Sequence, residues 1–235
     1  MFIYLVSMKK NFIILSVGGS IVIPKTGFDY EFLKNFRKLI ISEVKKGKKF
    51  ILVIGGGATC RTYQTALSQL IKTTPELLDW MGIHTTHFNA EFVRLMFGDL
   101  AHPEVVKNPT VPFKTKKPIV IAGGWKPGCS TDTDAVLLAE NFGATEVVNL
   151  SNIDYVYSAD PVLDPSAMKF ERLSWKEYKM IVGSTWTPGM SAPFDPIATK
   201  KAERLGLKVL FAKGSDLEQV KKIFAGKKFK GTIIA

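Results

Sequence analysis

Short runs rich in Ile, Val, Leu and Phe recur at residues 11–17, 50–54, 118–122, 146–150 and 207–211. Most are apolar at successive positions, the pattern of strands buried on both faces rather than strands with one wet face. Segments of helical period separate them, and this alternation predicts βα units around a parallel sheet, an α/β fold.

The helix between the first two runs is the best defined. Phe28, Phe32, Leu33, Phe36, Leu39, Ile40 and Val44 mark one face, Asp29 can cap its start, and Gly47 follows Lys45-Lys46 at its end. Similar punctuation predicts helices at 59–70, 89–97, 133–142, 174–181, 196–205 and 215–224, with irregular chain at 98–117, 152–173 and 183–195. No Ser/Gly-rich linker or internal repeat divides the 235 residues, so one compact body of two lobes is expected, residues 8–140 and 141–235.

Lys plus Arg outnumber Asp plus Glu, 32 to 21, for a formal charge of +11, which favours an anionic partner: nucleotide, nucleic acid or membrane headgroup. The basic tail at 221–230 reads as a solvated helix end rather than a nucleic-acid patch. Two cysteines, Cys60 and Cys129, cannot build a disulfide framework or a zinc cluster. The apolar opening at 1–7 is too short to span a bilayer and lacks the pattern of a secretory signal. Met8 reads as the start, residues 1–7 as an extension, and the expected compartment is the cytoplasm, with no membrane partner.

Three runs end in glycine: Gly18-Gly19-Ser20, Gly55-Gly56-Gly57 and Gly123-Gly124. In a parallel sheet all three fall on one edge, outside the carboxyl ends of the strands, where open α/β folds bind ligands. Glycine lets backbone N–H groups approach a phosphate, and a following helix adds its positive end. The common nucleotide signatures fail. The stretch from Gly123 to Ser130 has Walker A spacing but Cys129 in place of the phosphate-binding Lys, and neither of the first two clusters continues as G-x-G-x-x-G.

Around these loops lie the polar candidates. Arg61, one turn beyond Gly57, can return its guanidinium to the phosphate edge or lie on the surface. Asp79, among apolar residues, is a helix cap or a hydroxyl-binding carboxylate. Ser130, Thr131, Asp132, Thr133 and Asp134 open a helix, and capping explains one acid but hardly both. Ser151 to Pro161 offers polar groups and two tyrosines for a base and ribose. His84, His87 and His102 lack ligand spacing and read as structural, and no G-x-S-x-G hydrolase elbow occurs.

Taken in order, Gly18-Gly19-Ser20, Gly55-Gly56-Gly57 with Arg61, Asp79-Trp80-Met81-Gly82-Ile83, Gly123-Gly124 with Pro127 to Asp132, and Tyr157-Ser158-Ala159-Asp160-Pro161 resemble the amino-acid kinase family. The branch most resembled is that of the archaeal uridylate (UMP) kinases. The resemblance implies a three-layer α/β/α sandwich with a mainly parallel central sheet and an N-terminal lobe holding UMP. It also implies a C-terminal lobe holding ATP, and γ-phosphoryl transfer between them to make UDP, a step of pyrimidine nucleotide biosynthesis. Carried over, Gly56, Asp79, Trp125, Lys126, Pro127, Gly128, Cys129, Ser130 and Thr131 would hold UMP, with Asp79 on the ribose. Gly19, Ser20, Gly57, Arg61, Ser151, Asn152, Tyr157 and Asp160 would bind ATP. Arg61, Asp132 and Lys200 would be catalytic, Mg²⁺ would accompany ATP without dedicated protein ligands, and the chain would assemble as a homo-oligomer, a hexamer.

Such a transfer between two phosphates needs positioning and charge neutralisation rather than a strong base. Many relatives carry Lys where this chain has Ser16, so another cation must serve, and Lys200, Lys126 and Lys213 are the candidates. Residues 183–193, with Trp186, Pro188 and Gly189, differ from the usual family loop. Two alternatives remain. One is a kinase of the same fold for another small anion such as isopentenyl phosphate, disfavoured because Ala58-Thr59-Cys60-Arg61 lacks the histidine of that branch. The other is a non-catalytic nucleotide- or RNA-binding regulator.

Overall fold

The computed structural model describes residues 12–183 and 192–235. The opening 1–7 segment and the Trp186, Pro188 and Gly189 positions lie outside them. The chain runs β1 (Phe12–Val17), α1 (Gly19–Val22), α2 (Tyr30–Lys45), β2 (Lys49–Ile54), α3 (Gly57–Leu70), α4 (Pro75–Phe97) and β3 (Ile119–Ala122). It continues through α5 (Thr131–Phe142), β4 (Glu146–Ser151), β5 (Val156–Tyr157), β6 (Lys169–Phe170), β7 (Arg172–Leu173) and α6 (Trp175–Val182). It closes with α7 (Pro196–Arg204), β8 (Lys208–Lys213), α8 (Leu217–Phe224) and β9 (Thr232–Ile234).

Seven strands form one sheet in the order β3-β2-β1-β4-β8-β9-β7. The pairs from β3 through β8 are parallel, whereas β8 and β9 are antiparallel. Strand alternation sorts the core into two layers. Leu15, Phe50, Leu52, Ile54 and Ile121 pack with α2, α8 and the C-terminal half of α4, while Ile14, Ile51, Val53, Val120 and Val209 pack with α5, α6 and α7. The result is the expected α/β/α sandwich, its sheet buried on both faces as the unbroken apolar runs require.

Asp29 caps α2, accepting from Phe32 N at 2.9 Å, as its sequence position predicts. Three expectations change. Thr74 and Pro75 start α4, so this helix runs 14 residues further toward the N-terminus than the 89–97 segment read from periodicity. Gly82 breaks the sequence pattern there, yet it sits where a Cβ would come within 3.3 Å of Gln64 on α3. Ser130, not an aspartate, caps α5, so neither Asp132 nor Asp134 is spent on capping. The irregular 152–173 stretch contains the β5–β6 hairpin and β7, strands of two residues that carry no readable period. Among the described residues, no helix is long and apolar enough to cross a membrane.

Candidate active site

All three glycine turns lie at the carboxyl edge of adjacent parallel strands, and the first two touch. A Cβ on Gly19 would stand 2.0 Å from Gly57 N, and one on Gly55 would stand 2.5 Å from Gly19 N. Contact this close between backbones admits no side chain at either turn. Gly18 N donates to Leu150 O at 2.9 Å, which fixes the first turn at the β1–β4 boundary where the strand order reverses.

Helix α4 clamps the other turns from one side. Buried Asn89 donates from Nδ2 to Gly55 O at 3.0 Å and to Gly56 O at 2.9 Å. Thr86 Oγ1 accepts from Gly124 N at 2.7 Å, and the His87 ring lies 2.7 Å from Gly124 O through Nε2. Because a carbonyl only accepts, Nε2 carries the proton. Burial pushes the His87 pKa down, consistent with a neutral ring and the structural role its sequence position suggested. With their carbonyls turned to Asn89, Gly55 and Gly56 present the other side of the turn. The N–H groups of Gly56 and Gly57 meet no acceptor among the described residues.

These elements enclose a cavity of about 600 Å³. Gly19, Ser20, Gly56, Gly57 and Arg61 line it from the N-terminal turns, and Asp79 and Thr86 line it from α4. Cys129, Ser130, Thr131, Asp132 and Asn152 close the far side. A larger groove of about 860 Å³ lies behind α4, lined by Phe88, Val105, Val111 and Phe113 among others. It gathers none of the glycine turns, which all line the smaller cavity.

The far wall is acidic. Asp132 accepts from Ser16 Oγ at 2.7 Å and from Asn149 Nδ2 at 2.9 Å. Burial pushes Asp132 up to about 7, the Asp195 charge adds to the rise, and the Ser16 hydrogen bond opposes it. Asp134 accepts from Trp125 N at 3.2 Å, its Oδ1 has no partner among the described residues, and burial drives its pKa well up. Asp195 caps α7, accepts from Ser130 Oγ, and faces the cavity. Asp79 accepts from Gly128 N at 2.9 Å, which ties α4 to the loop before α5. It lies inside the helix and caps nothing.

Other expected residues stand apart from this cavity. Lys126 lies 4.1 Å over the Trp125 ring, and Trp125, Lys126, Pro127 and Gly128 do not line it. Ser151 ends β4 next to Asn152. The Tyr157 hydroxyl donates to Asp154 at 2.7 Å, which pushes its pKa up to about 12, and Asp160 accepts from Val162 N in a local turn. Lys200, on α7, does not line the cavity either. Conversely, Asp195, Asn89, Thr86 and Lys25 belong to the site and escaped the sequence reading. Asp195 before Pro196 reads only as a helix start, and its contact with Ser130 spans 65 residues.

Residues 11–213 match the model of the amino acid kinase family. The chain is 34% identical to a uridylate kinase of Methanospirillum hungatei over 94% of each sequence. It is 32% identical to a uridylate kinase of Hyperthermus butylicus, over 97% of this chain and 99% of that one. The crystal structure of uridylate kinase from Archaeoglobus fulgidus superposes with a TM-score of 0.78 at 31% identity, covering 95% of this chain and all of the other.

Proposed function

This chain belongs to the amino acid kinase family, and from that membership we propose that it is a UMP kinase, transferring the γ-phosphoryl group of ATP to UMP to give UDP and ADP. The observation that carries the reading is the contact between the Gly19 and Gly55–Gly57 turns inside one cavity that α4 also lines with an acid. Gly19 and Gly57, one from each turn, then hold the donor phosphates together, and Gly56 beside them meets the acceptor phosphate. The archaeal uridylate kinases at 32–34% identity over nearly the whole chain support the same substrate pair.

In this reading Asp79 keeps one oxygen on Gly128 N and offers the other to the UMP ribose hydroxyls. Thr131 and Ser130 stand beside the acceptor phosphate, with the loop from Trp125 to Cys129 around the nucleotide. Ser20, Gly19, Gly57 and Arg61 receive the ATP phosphates. Ser151, Asn152, Tyr157 and Asp160 are assigned to the remainder of ATP, so residues 8–140 hold UMP and touch the ATP phosphates while residues 141–235 hold the rest of ATP. Lys200, catalytic by the resemblance, lies on α7 and does not line the cavity.

The donor set suits Mg²⁺ brought in on ATP. Such an ion keeps most of its waters and takes one or two carboxylates, and Asp132 and Asp195, which line the cavity, would be the carboxylates to meet it. When bound, the ion neutralises phosphate charge. No residue needs to abstract a proton, because the attacking UMP phosphate is already an anion. The protein therefore aligns two anions and excludes water between them. We place the reaction in pyrimidine nucleotide biosynthesis in the cytoplasm, carried out by a homo-oligomer.

The test is a substrate panel followed by ADP release with product identification. UMP should be the preferred acceptor over CMP, AMP and isopentenyl phosphate, and UDP the product. No UDP from the folded chain with ATP and Mg²⁺ would refute the proposal.

A further inference from the structure

The cavity has an unusual charge balance for a place where two polyphosphates meet. Among the described residues Asp79, Asp195 and Asp132, the last titrating at about 7, line it beside two basic side chains, Lys25 and Arg61. Strand β1, which passes beneath it, contributes the neutral Ser16, buried and hydrogen-bonded to Asp132. The cations that sequence position suggests do not reach the cavity. Lys126 is held over the Trp125 ring, and Lys200 on α7 and Lys213 at the end of β8 are not among its lining residues.

Resting on the kinase reading, we propose that Lys25 is a catalytic residue: its ammonium meets the transferring phosphoryl group and supplies the positive charge that Ser16 does not. Ile23 O accepts from Ala58 N at 3.1 Å, so the chain two residues before Lys25 is pinned to the first turn of α3, beside Gly57 and Arg61. Pro24 restricts the backbone between the two. Beyond that anchor the Lys25 side chain is exposed and makes no ion pair or hydrogen bond among the described residues. A compact ammonium on a four-carbon stem can follow a phosphorus atom that moves from donor to acceptor. Arg61, with a planar fork, suits a phosphate that stays in place.

The chemistry balances without a further reactant. An oxygen of the UMP phosphate forms a bond to the γ-phosphorus as the bond from that phosphorus to the bridging oxygen of ADP breaks, and ADP leaves with the electron pair. Lys25 keeps its protons throughout and acts only on the charge of the equatorial and bridging oxygens.

The experiment compares wild type, Lys25→Ala and Lys25→Arg as full-length proteins, with kcat and both KM values measured and melting temperature followed. Because the side chain is exposed, all three should melt alike. Loss of a donor that acts on the transition state lowers kcat by about a hundredfold while each KM stays within about threefold. Lys25→Arg should recover about tenfold of that loss. A kcat within threefold of wild type for Lys25→Ala, or a loss confined to KM, would overturn the assignment of Lys25 alone. A folded wild type that makes no UDP would overturn the kinase reading and this inference with it.

Discussion

Asp132 titrates near neutrality because it is walled in beside a second acid. In the unfolded chain its carboxyl releases its proton near the ordinary value of 3.8, whereas in the fold it holds that proton to about 7. Between those values the folded state binds the extra proton. The stability contributed by the neutral carboxyl is therefore complete below about 4 and is lost as pH rises to 7. Asparagine at this position is neutral at every pH and keeps an oxygen to accept from Ser16 and Asn149. Asp132→Asn without nucleotide should melt about as wild type does near pH 4 and some 3–8 °C higher at pH 8. A gap in melting temperature that does not change with pH would contradict the burial argument. Asp79 makes a different case, since its carboxylate is expected to act on substrate. Asp79→Asn should raise KM for UMP by about tenfold or more and leave KM for ATP nearly unchanged, the scale of a hydrogen bond to a charged group.

At the scale of elements, α4 is the part that turns three glycine bends into one site. Fully buried Asn89 holds two carbonyls of the second bend. Asn89→Ala leaves Gly55 O without a donor, while Gly56 O keeps Cys60 N, at a cost of about 1–3 kcal/mol. It should also lower kcat together with stability, because the freed turn no longer holds the phosphate N–H groups in place. A variant with unchanged melting temperature by calorimetry would show that the clamp is not structural. The strands and their glycine ends were readable because an apolar run followed by glycine carries both the sheet and its edge in consecutive residues. The N-terminal half of α4 was not. Gly82 and the run from His84 to His87 are poor helix formers, and tertiary contacts with α3 and the glycine turns hold them helical. Asp195 and Lys25 were hidden for a related reason: what they do depends on chain that returns to the site from elsewhere in the sequence, and no local period records such a return.

At the scale of the molecule, the +11 charge sets where a second copy can sit. Like-charged copies repel wherever lysines crowd the surface, yet α3 and α4 together carry only Arg61 and Arg94 of the 32 basic residues. Arg61 faces the cavity, and Arg94 is paired with Glu91 at 2.6 Å. The same two helices hold a concentration of exposed apolar side chains. Tyr63 and Leu70 on α3 and Trp80, Phe88 and Leu95 on α4 all face outward, Phe88 with 74% of its surface open. Helix α3 fully buries no side chain, its one fully buried residue being Gly57. An amphipathic helix gains its stability from a covered apolar face, and the partner whose face is equally free of positive charge is another copy of this chain. The homo-oligomer proposed above should therefore form through α3 and α4. Paired Phe88→Asp and Leu95→Asp substitutions should convert it to a smaller species in sedimentation at micromolar concentration, with helical content unchanged, because neither side chain belongs to the interior. Asp79, Thr86 and the glycine clamp lie on the opposite side of the same helix, so separation of the copies should also raise KM for UMP severalfold. If the doubly substituted chain sediments as wild type does, the copies meet on some other face and α3 and α4 contribute nothing to assembly.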